Sequence, residues 1–357
     1  MIIHSLYKDY EVIIESNNEF ISNLIKEKNA GFVIDEKVYG LYSELFDNIN
    51  PDRIVLVEAI EENKTMDTVL SICEMMTKIP AKRNAHLISV GGGIIQDITG
   101  FVANILYRGI RWTFVPTTLL ASCDSCIGGK TSLNYKKFKN LLGTFYPPDK
   151  IHICPKFFET LSERDYKSGL GEVIKFNIMA GEKGLENIEN GIDTLLMRDH
   201  ESLNRFVKSS LEYKKTYIEK DEFDRGERLK LNFAHTFGHA IETVTDYAIP
   251  HGTAVAIGMI MANKTACSRE LLDEVFSEKS EKILLKVIDI DINLLNVSLS
   301  EFIGAMRKDK KQIGEQLTAV LMSGKADDLI IVHNLEEAEV KAAIDYFKRI
   351  YISYKNE

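Results

Sequence analysis

The order of hydrophobic and polar positions divides the chain into two regions with different patterns. Over residues 1–155, short runs rich in β-branched residues alternate with stretches of helical period such as Asn18–Glu27 and Met66–Thr77. The runs predict strands at Glu11–Ile14, Gly31–Ile34, Arg53–Val57, His86–Val90, Trp112–Val115 and Ile151–Cys154. Such alternation of strands and helices predicts a parallel sheet that is covered on both faces.

Beyond about residue 160 the strand signal disappears, and hydrophobic positions recur with helical spacing. The helical stretches are Leu185–Leu196, Glu201–Glu219, Leu229–Val244, Gly252–Ser268 and Ser277–Val287. We therefore predict an α/β N-terminal domain over residues 1–160 and a mostly α-helical C-terminal domain over residues 161–357. A cleft between two domains is a usual place for a ligand.

Composition places the chain among soluble globular proteins. Hydrophobic residues make up 45% and charged residues 27% of the 357 residues, which excludes a disordered or fibrous protein. No apolar run reaches the roughly 18 residues of a membrane span, and the N-terminus has no signal-peptide cleavage site. We therefore expect a cytoplasmic protein with no membrane partner. The net charge of −9 argues against a nucleic-acid partner.

The cysteines and the basic clusters permit few conclusions about the activity of the protein. Five cysteines are too few, and odd in number, for a disulfide framework. Cys123 and Cys126 form a C-x-x-C pair, which we interpret as two small core residues because no second pair stands near it. The basic clusters at Lys214–Lys215 and Arg307–Lys311 are either solvated faces or cations gathered around a small anionic substrate.

A glycine-rich turn follows the predicted strand His86–Val90. Gly91, Gly92 and Gly93 lead directly into the helical stretch Ile94–Leu106, which has Asp97 in its first turn. Glycines there let the backbone approach a pyrophosphate, and the start of a helix favours an anion. A tight turn without a ligand is the alternative, because the pattern departs from G-x-G-x-x-G.

Two further segments carry groups that suit a phosphate. Thr117 and Thr118 follow the strand Trp112–Val115, so their hydroxyls lie at the carboxyl end of that strand. Residues 124–131 read DSCIGGKT, and the Gly-Gly-Lys-Thr part can present amide N–H groups and the Lys130 ammonium. This part resembles the end of a P-loop, but the upstream glycine is missing, which argues against a nucleoside triphosphatase.

A group of histidines and one glutamate has the residue types of a metal site. His235 and His239 are four residues apart in a helical stretch and share one face, and His251 follows after a turn. Glu172 stands in the segment GEVIK. Two histidines and one carboxylate can hold a divalent ion and leave coordination positions open for substrate oxygens. Half-buried histidines with hydrogen-bond partners are the alternative. A metalloprotease is excluded because Thr236 stands where H-E-x-x-H needs glutamate.

These segments, in this order, resemble the sugar phosphate cyclase superfamily and, within it, the 3-dehydroquinate synthase family of the shikimate pathway of aromatic amino acid biosynthesis. The matching motifs are GGGIIQDITGFVA (91–103), YRGIRWTFVPTTLLASCDSCIGGKTSLN (107–134), KNLLGTFYPP (139–148), SGLGEVIKF (168–176), KDEFDRGERLKLNFAHTFGHAIE (220–242), HGTAVAIGM (251–259) and MRKDKK (306–311). The resemblance implies a Rossmann-like domain followed by an α-helical domain.

The resemblance also implies roles for individual residues. It implies that zinc, with cobalt as the alternative metal, is held by Glu172, His235 and His251. The NAD contacts it implies are Glu61, Lys64, Gly91, Gly92, Gly93, Asp97, Thr117, Thr118, Asp124, Lys139 and Asn140. The substrate contacts it implies are Asp124, Lys130, Asn140, Lys175, Lys214, Arg228, Asn232, His239 and Lys310, with Lys311 as the alternative to Lys310. Arg108 matches an arginine that reaches the neighbouring subunit's site, which implies a homodimer.

The implied activity is a carbon–oxygen lyase reaction that eliminates phosphate and closes a carbocycle. The substrate DAHP carries a carboxylate and a phosphate, which explains why an acidic protein gathers cations at one site. NAD is reduced and reoxidised within each turnover, and zinc acts as a Lewis acid. Arg228 and Lys214 are expected to bind the carboxylate, although a salt bridge from Arg228 to Glu222 or Asp224 is the alternative.

Several positions depart from the family pattern and keep alternatives open. They are Gln96, Phe138, Phe176, Asn177, Ala234 and Thr253. A divergent cyclase would act on glucose 6-phosphate or sedoheptulose 7-phosphate, as 2-deoxy-scyllo-inosose synthases and 2-epi-5-epi-valiolone synthases do. A metal-dependent alcohol dehydrogenase would explain the glycine turn and H-x-x-x-H, but not the basic residues or the D-S-x-x-G-G-K-T segment.

Overall fold

The computed structural model describes residues 1–80, 82–136, 138–308, 316–324 and 328–356. The chain divides into two compact units. Unit 1 contains residues 1–161 and 218–223, and unit 2 contains residues 162–217 and 224–357. The α/β N-terminal part and the mostly helical C-terminal part predicted from the sequence are confirmed. Within the described ranges, no helix combines the length and the apolar character that crossing a membrane requires.

Unit 1 is built on a seven-stranded sheet and a two-stranded hairpin. Its strands are β1 Ile2–Ile3, β2 Tyr10–Ile14, β3 Ala30–Asp35, β4 Ile54–Val57, β5 His86–Gly91, β6 Arg111–Pro116, β7 Lys130–Tyr135, β8 Phe138–Phe145 and β9 Lys150–Ile153. The large sheet has the order β1-β2-β9-β6-β5-β3-β4. All of its neighbouring strands are parallel except the antiparallel pair β1 and β2. Strands β3 and β5 lie inside the sheet and are buried along nearly their whole length, as parallel strands covered on both faces are.

The helices of unit 1 are α1 Phe20–Ile25, α2 Glu36–Leu41, α3 Ser43–Phe46, α4 Met66–Thr77 and α5 Gly93–Ile105. Helix α4 begins where the Thr65 side chain accepts a hydrogen bond from the backbone N–H of Thr68. Helix α5 buries Ile95, Ile98 and Val102, and it packs against β5, β6 and β7. Its spacing of apolar positions is what predicted the helix from the sequence.

The order of the parallel strands reverses next to β3. The chain passes from β3 to the edge strand β4, whereas β5, β6 and β9 extend the sheet on the other side of β3. In open α/β sheets, ligands bind outside the carboxyl ends of the strands at such a switch point. Asp35 ends β3 and Gly91 ends β5, so both lie at this edge of the sheet.

Unit 2 is a helical assembly with one antiparallel hairpin. Its helices are α6 Glu163–Met179, α7 Gly181–Leu196, α8 His200–Ile218, α9 His235–Val244, α10 His251–Ser268, α11 Glu274–Leu285, α12 Leu299–Arg307 and α13 Glu337–Asn356, and its strands are β10 Leu317–Ser323 and β11 Asp328–Leu335. Helix α10 lies at the centre and packs against α6, α9, α11 and α13. Because it has neighbours on every side, it is buried and apolar around most of its circumference.

Two local expectations were wrong in unit 2. Strands β10 and β11 form where no strand was predicted, because a seven-residue apolar run such as Leu317–Ser323 carries no periodicity that separates strand from helix. The predicted helix Leu229–Val244 is interrupted. A 3-10 turn covers Glu227–Asn232, and α9 begins at His235 after Ala234 adopts a left-handed conformation.

Candidate functional site

The glycine turn of unit 1 leaves the start of α5 open. Gly92 precedes α5, and among the described residues no side chain caps the helix. A Cβ atom on Gly91 would lie 2.5 Å from Ile95 Cγ1, so the turn requires glycine there. The uncapped N–H groups and the helix dipole favour an anion. Asp35 lies beside this turn, since the same Cβ atom would be 3.2 Å from Asp35 Cβ.

The two predicted threonines lie next to the glycine turn. The backbone N–H of Thr117 donates to the carbonyl of Gly91 over 2.9 Å. A Cβ atom on Gly92 would lie 3.1 Å from Thr118 Cγ2. The Thr117 hydroxyl is buried and has no hydrogen-bond partner among the described residues. Because a buried hydroxyl rarely stays unpaired, this oxygen suits a bound polar group.

Several predicted cofactor residues form one polar cluster. The buried Lys64 ammonium pairs with the Asp97 carboxylate and donates to Asn140 Oδ1 over 2.6 Å. Ser132 joins the cluster, since its hydroxyl lies 3.1 Å from Asp97 Oδ2 and 2.8 Å from Asn140 Oδ1. Burial raises the pKa of the Asp97 carboxyl, and the Lys64 ammonium opposes that rise. The structure thus brings together three residues that are far apart in the sequence.

Asn134 connects this cluster to Glu61. Its side-chain amide donates to the Glu61 carbonyl over 3.1 Å and to Glu61 Oε1 over 2.9 Å. Its Oδ1 accepts the backbone N–H of Asn140 over 2.8 Å, where Asn140 has a left-handed φ of 53°. Sequence reasoning missed Ser132 and Asn134, because nothing in their spacing shows that the β7–β8 hairpin folds back onto the Glu61 segment.

The Gly-Gly-Lys-Thr segment is a turn into a strand and not a P-loop. Gly128 and Gly129 have φ values of 102° and 66°, which only glycine adopts readily. The amide of Gly128 donates to the Tyr10 hydroxyl over 2.9 Å inside the protein. Lys130 then begins β7, whereas the lysine of a P-loop begins a helix. The Gly128 amide, one of the N–H groups that this segment could offer to a phosphate, is therefore already bonded inside the protein.

The remaining predicted residues of unit 1 occupy three separate settings. Asp124 lies in the π-helical turn Ala121–Ser125. Arg108 is exposed and has a left-handed φ of 66°. Lys139 is exposed on β8, in the hairpin. Cys123 and Cys126 are buried core residues whose thiols donate to the Leu120 and Ser122 carbonyls, as core cysteines were expected from the sequence.

In unit 2 the structure brings Glu172, His235 and His251 together. The His235 and His251 Nε2 atoms lie 3.6 and 3.4 Å from the same Glu172 oxygen, Oε1. A tetrahedral ion with bonds of about 2.0–2.2 Å separates its ligand atoms by about 3.3–3.6 Å. One carboxylate oxygen and two imidazole nitrogens at this spacing are a donor set for a divalent metal.

Close helix packing explains how these three residues meet. A Cβ atom on Gly171 would lie 2.1 Å from the Gly252 carbonyl oxygen, and one on Gly252 would lie 1.8 Å from the Ser168 carbonyl oxygen. Only glycine allows α6 and α10 to approach so closely. The neighbours of these two glycines are Glu172 and His251, so the approach of the helices brings the two ligands to one place.

The two histidines are oriented by partners outside the donor set. His235 Nδ1 lies 2.9 Å from the Phe233 carbonyl, so Nδ1 carries the proton and Nε2 presents its lone pair. His251 Nδ1 lies 3.1 Å from Glu242 Oε2, the arrangement of carboxylate–histidine–metal sites. Burial opposes a charged imidazole, but the carboxylates of Glu172 and Glu242 outweigh it and raise the pKa of His251 to about 10. Two carboxylates therefore favour positive charge here.

Sequence reasoning missed Glu242, which contacts the candidate metal ligand His251. It lies three residues after His239, on the same helical face, and that spacing is the signal that was available. His239 itself lies beside the donor set, with its ring centre 5.3 Å from that of His235 and 5.9 Å from that of His251. Its predicted place next to the metal ligands agrees with these distances.

Three predicted cations of unit 2 are buried. Lys175, Lys214 and Arg228 are 1%, 7% and 3% exposed. Lys175 Nζ lies 2.5 Å from Glu172 Oε2, one helical turn along α6. Such burial of charge is costly unless a partner or a ligand balances it. Asn232 donates its side-chain amide to the Leu229 carbonyl over 2.8 Å. Lys310 and Lys311 lie outside the described residues.

Two departures from the family pattern have structural explanations. Asn177 donates to the Val173 carbonyl over 2.8 Å and accepts from the Asn187 amide over 3.1 Å, so it joins α6 to α7. Gln96 forms two hydrogen bonds with Ser125. Phe138 is exposed on β8, and nothing in the structure explains why it replaces glycine.

Comparison with known proteins decides the family. The model of the 3-dehydroquinate synthase N-terminal domain matches residues 54–168, and that of the C-terminal domain matches residues 169–312. The 3-dehydroquinate synthase of Dictyoglomus thermophilum is 36% identical over 345 residues, which cover 96% of this chain and 94% of that protein. The chain belongs to the 3-dehydroquinate synthase family.

Solved structures support the fold of this member of the 3-dehydroquinate synthase family. A 2-epi-5-epi-valiolone synthase from Streptomyces hygroscopicus, solved with NAD⁺ and Zn²⁺, has a TM-score of 0.81 at 23% identity and covers 95% of this chain and 97% of its own. A 2-deoxy-scyllo-inosose synthase, solved with carbaglucose 6-phosphate, NAD⁺ and Co²⁺, has a TM-score of 0.83 at 23% identity and covers 97% and 99%. At this identity the likeness concerns the fold alone.

Proposed function

We propose that this chain is a 3-dehydroquinate synthase that converts DAHP into 3-dehydroquinate and phosphate, using NAD and a divalent metal. The observation that carries the proposal is the donor set of Glu172, His235 and His251, in which both histidines are already oriented. Curated relatives with this activity, one of which is 36% identical over 96% of the chain, support the substrate assignment.

NAD fits the open turn of unit 1. Gly91, Gly92 and Gly93 with the uncapped start of α5 would receive the pyrophosphate. Asp35, at the end of the neighbouring strand, stands where dinucleotide-binding folds place an acid for a ribose hydroxyl. The remaining contacts we propose are Glu61, Lys64, Asp97, Thr117, Thr118, Asp124, Lys139 and Asn140. The unpaired Thr117 hydroxyl supports this placement.

Zinc or cobalt fits the donor set of unit 2, because Glu172, His235 and His251 supply one carboxylate and two imidazoles. When bound, the metal supplies Lewis acidity toward substrate oxygens, and NAD supplies a hydride acceptor that is restored within the same turnover. Glu242 and the Phe233 carbonyl would keep each imidazole in the ligating tautomer.

Cationic and polar side chains would hold the substrate. Arg228 offers a planar fork for a carboxylate, and Lys214 adds charge to it. Both are buried, so their contacts with an anion are poorly screened by water. We assign Lys130, Lys175, Asn232, His239 and Lys310 to the other oxygens of the substrate. Holding one substrate through several steps is the main task of such a site.

The proposal includes the oligomeric state of the protein and the cellular compartment in which it acts. Arg108 is exposed, so its side chain is accessible to a second subunit. We therefore propose a homodimer in which Arg108 completes the neighbouring site. We place the reaction in the cytoplasm, where the shikimate pathway supplies its substrate.

Phosphate release from three sugar phosphates tests the function. Protein loaded with NAD and zinc is offered DAHP, glucose 6-phosphate or sedoheptulose 7-phosphate, and NADH absorbance is followed in parallel. We expect release from DAHP only, without accumulation of NADH. Release from a neutral sugar phosphate instead would assign a different cyclase. NADH that accumulates with substrate would indicate a dehydrogenase.

A further inference from the structure

Gln96 forms a reciprocal pair of hydrogen bonds with Ser125. Its side-chain Nε2 donates to the Ser125 carbonyl over 2.7 Å, and its Oε1 accepts from the Ser125 hydroxyl over 2.6 Å. Gln96 is only 3% exposed. This pair, the Gln96–Ser125 clamp, joins the first turn of α5 to the π-helical turn Ala121–Ser125.

The clamp is a strong local restraint for a physical reason. Both polar ends of the buried amide are satisfied by a single residue, and separating them would leave buried donors and acceptors without partners. The π-helix is rare, and single π-helical turns are found frequently at functional sites. A turn in this rare conformation needs contacts with the surrounding structure to keep its shape.

The clamp also sits between groups that the proposed function uses. Asp124 directly precedes Ser125, and Asp97 directly follows Gln96. Ser125 faces the glycine turn, because a Cβ atom on Gly93 would lie 3.7 Å from its hydroxyl oxygen. Gln96 is one of the departures from the family pattern and stands where glycine is common, and a glycine has no side chain that could make either bond.

We propose that Gln96 is a positioning residue for NAD binding, which holds the turn carrying Asp124 against the start of α5. This role rests on the proposed function of the chain. It predicts that the NAD turn is preorganised in this protein by an interaction that the family's usual glycine does not provide. Preorganisation lowers the cost of ordering a site when its ligand binds.

Equilibrium titration of NAD into zinc-loaded protein tests the role. Gln96→Leu removes both bonds at similar volume and should weaken NAD binding about tenfold. Ser125→Ala removes one bond and should weaken it about threefold, and Ser125→Thr, which keeps the hydroxyl, should restore most of the affinity. The double variant should bind no worse than Gln96→Leu, since the two residues act through one interaction.

Thr99→Val is the matched control. Thr99 is buried in the same helix and its hydroxyl has no partner among the described residues, so the change should leave NAD affinity as it is. Equal NAD affinity in wild type and Ser125→Ala, or losses that add up in the double variant, would overturn the positioning role. Should Gln96→Leu not fold, the Ser125 pair of variants decides alone. A wild-type protein that binds no NAD would instead overturn the proposed function.

Discussion

The candidate cofactor site of unit 1 and the candidate metal site of unit 2 are built in opposite ways. In unit 1 backbone amides at the start of α5 would receive the pyrophosphate, and missing side chains at Gly91 and Gly92 make the room. In unit 2 the donors are side chains, and a second set of groups, the Phe233 carbonyl and Glu242, orients them. The first site should therefore lose affinity for its ligand when a side chain is added, and the second when a donor side chain or its partner is removed.

Removing a metal ligand should have the largest effect. His235→Ala takes away one of three donors, so we expect loss of bound zinc and of phosphate release from DAHP. NAD affinity should be unchanged, because no residue of the glycine turn is altered. Metal analysis and NAD titration measure the two sites separately. His200→Ala, at the start of α8 in the same unit, is the control. Stoichiometric zinc in His235→Ala would contradict the site.

Removing a cation of the same unit should slow turnover without emptying either site. Arg228→Ala removes the proposed contact with the substrate carboxylate, so it should lower the rate of phosphate release from DAHP by roughly two to three decades. At about 1.4 kcal/mol per decade, this is about 3–4 kcal/mol of lost transition-state stabilisation. Zinc content and NAD affinity should stay at the wild-type level. Exposed Arg225 provides the control, Arg225→Ala. An unchanged rate in Arg228→Ala would remove Arg228 from the substrate site.

Adding a side chain to the glycine turn of unit 1 should impair the candidate cofactor site. Gly92→Val should weaken NAD binding about a hundredfold, because the side chain occupies the approach of the pyrophosphate. The fold should survive, since Gly92 has a φ of −85° that valine also adopts. Zinc content should not change. Gly40→Val is the control, because a Cβ atom there meets nothing within 4 Å. NAD affinity equal to wild type in Gly92→Val would contradict the site.

Changing Glu242, the hydrogen-bond partner of the candidate metal ligand His251, should have an intermediate effect on zinc affinity. Glu242→Gln keeps the size of the side chain but removes the charge that faces His251 Nδ1. Zinc affinity should fall about 10–100-fold, the usual cost of losing such a partner. Competition with a chelator measures it. If the affinity matches wild type, the orientation of His251 does not depend on Glu242.

The smallest effect concerns backbone strain beside His235. Ala234 has a φ of 69°, where an alanine is strained and glycine is not. Ala234→Gly should leave the free energy of unfolding unchanged or raise it by up to about 1 kcal/mol. Exposed Ala342→Gly in α13 should lower the free energy of unfolding by about 1 kcal/mol. Urea unfolding measures both. A loss in Ala234→Gly as large as in Ala342→Gly would contradict the strain.

The same contrast explains how much the sequence could predict. The predicted strand His86–Val90 and helix Ile94–Leu106 correspond to β5 and α5 within one residue at each end. Strand, glycines and helix follow one another in the chain, so the turn of unit 1 depends on local signals. The family motifs indicated the candidate ligand residues of unit 2, but not how they are oriented.

What the sequence did not predict depends on contacts between distant segments. The break before His235 falls within a continuous helical pattern, and packing decides it. A Cβ atom on Gly258 would lie 2.4 Å from the Ala234 carbonyl, so α10 runs directly against the break. Glu242 and Ser132 contact His251 and Asp97, which lie 9 and 35 residues away along the chain, and the composition of the sequence does not indicate these contacts. Tertiary packing overrides local periodicity at such places.

The short return of the chain to unit 1 at residues 218–223 limits how this protein can be divided. Glu219 and Glu222 accept hydrogen bonds from the backbone N–H groups of His4 and Leu6 over 2.8 and 2.7 Å. A gene fragment ending at residue 161 would carry the whole seven-stranded sheet but lack the segment that fastens its first residues. Unit 1 is thus not one continuous stretch of the chain, and a transplant of the candidate cofactor site into another protein should bring this segment with it.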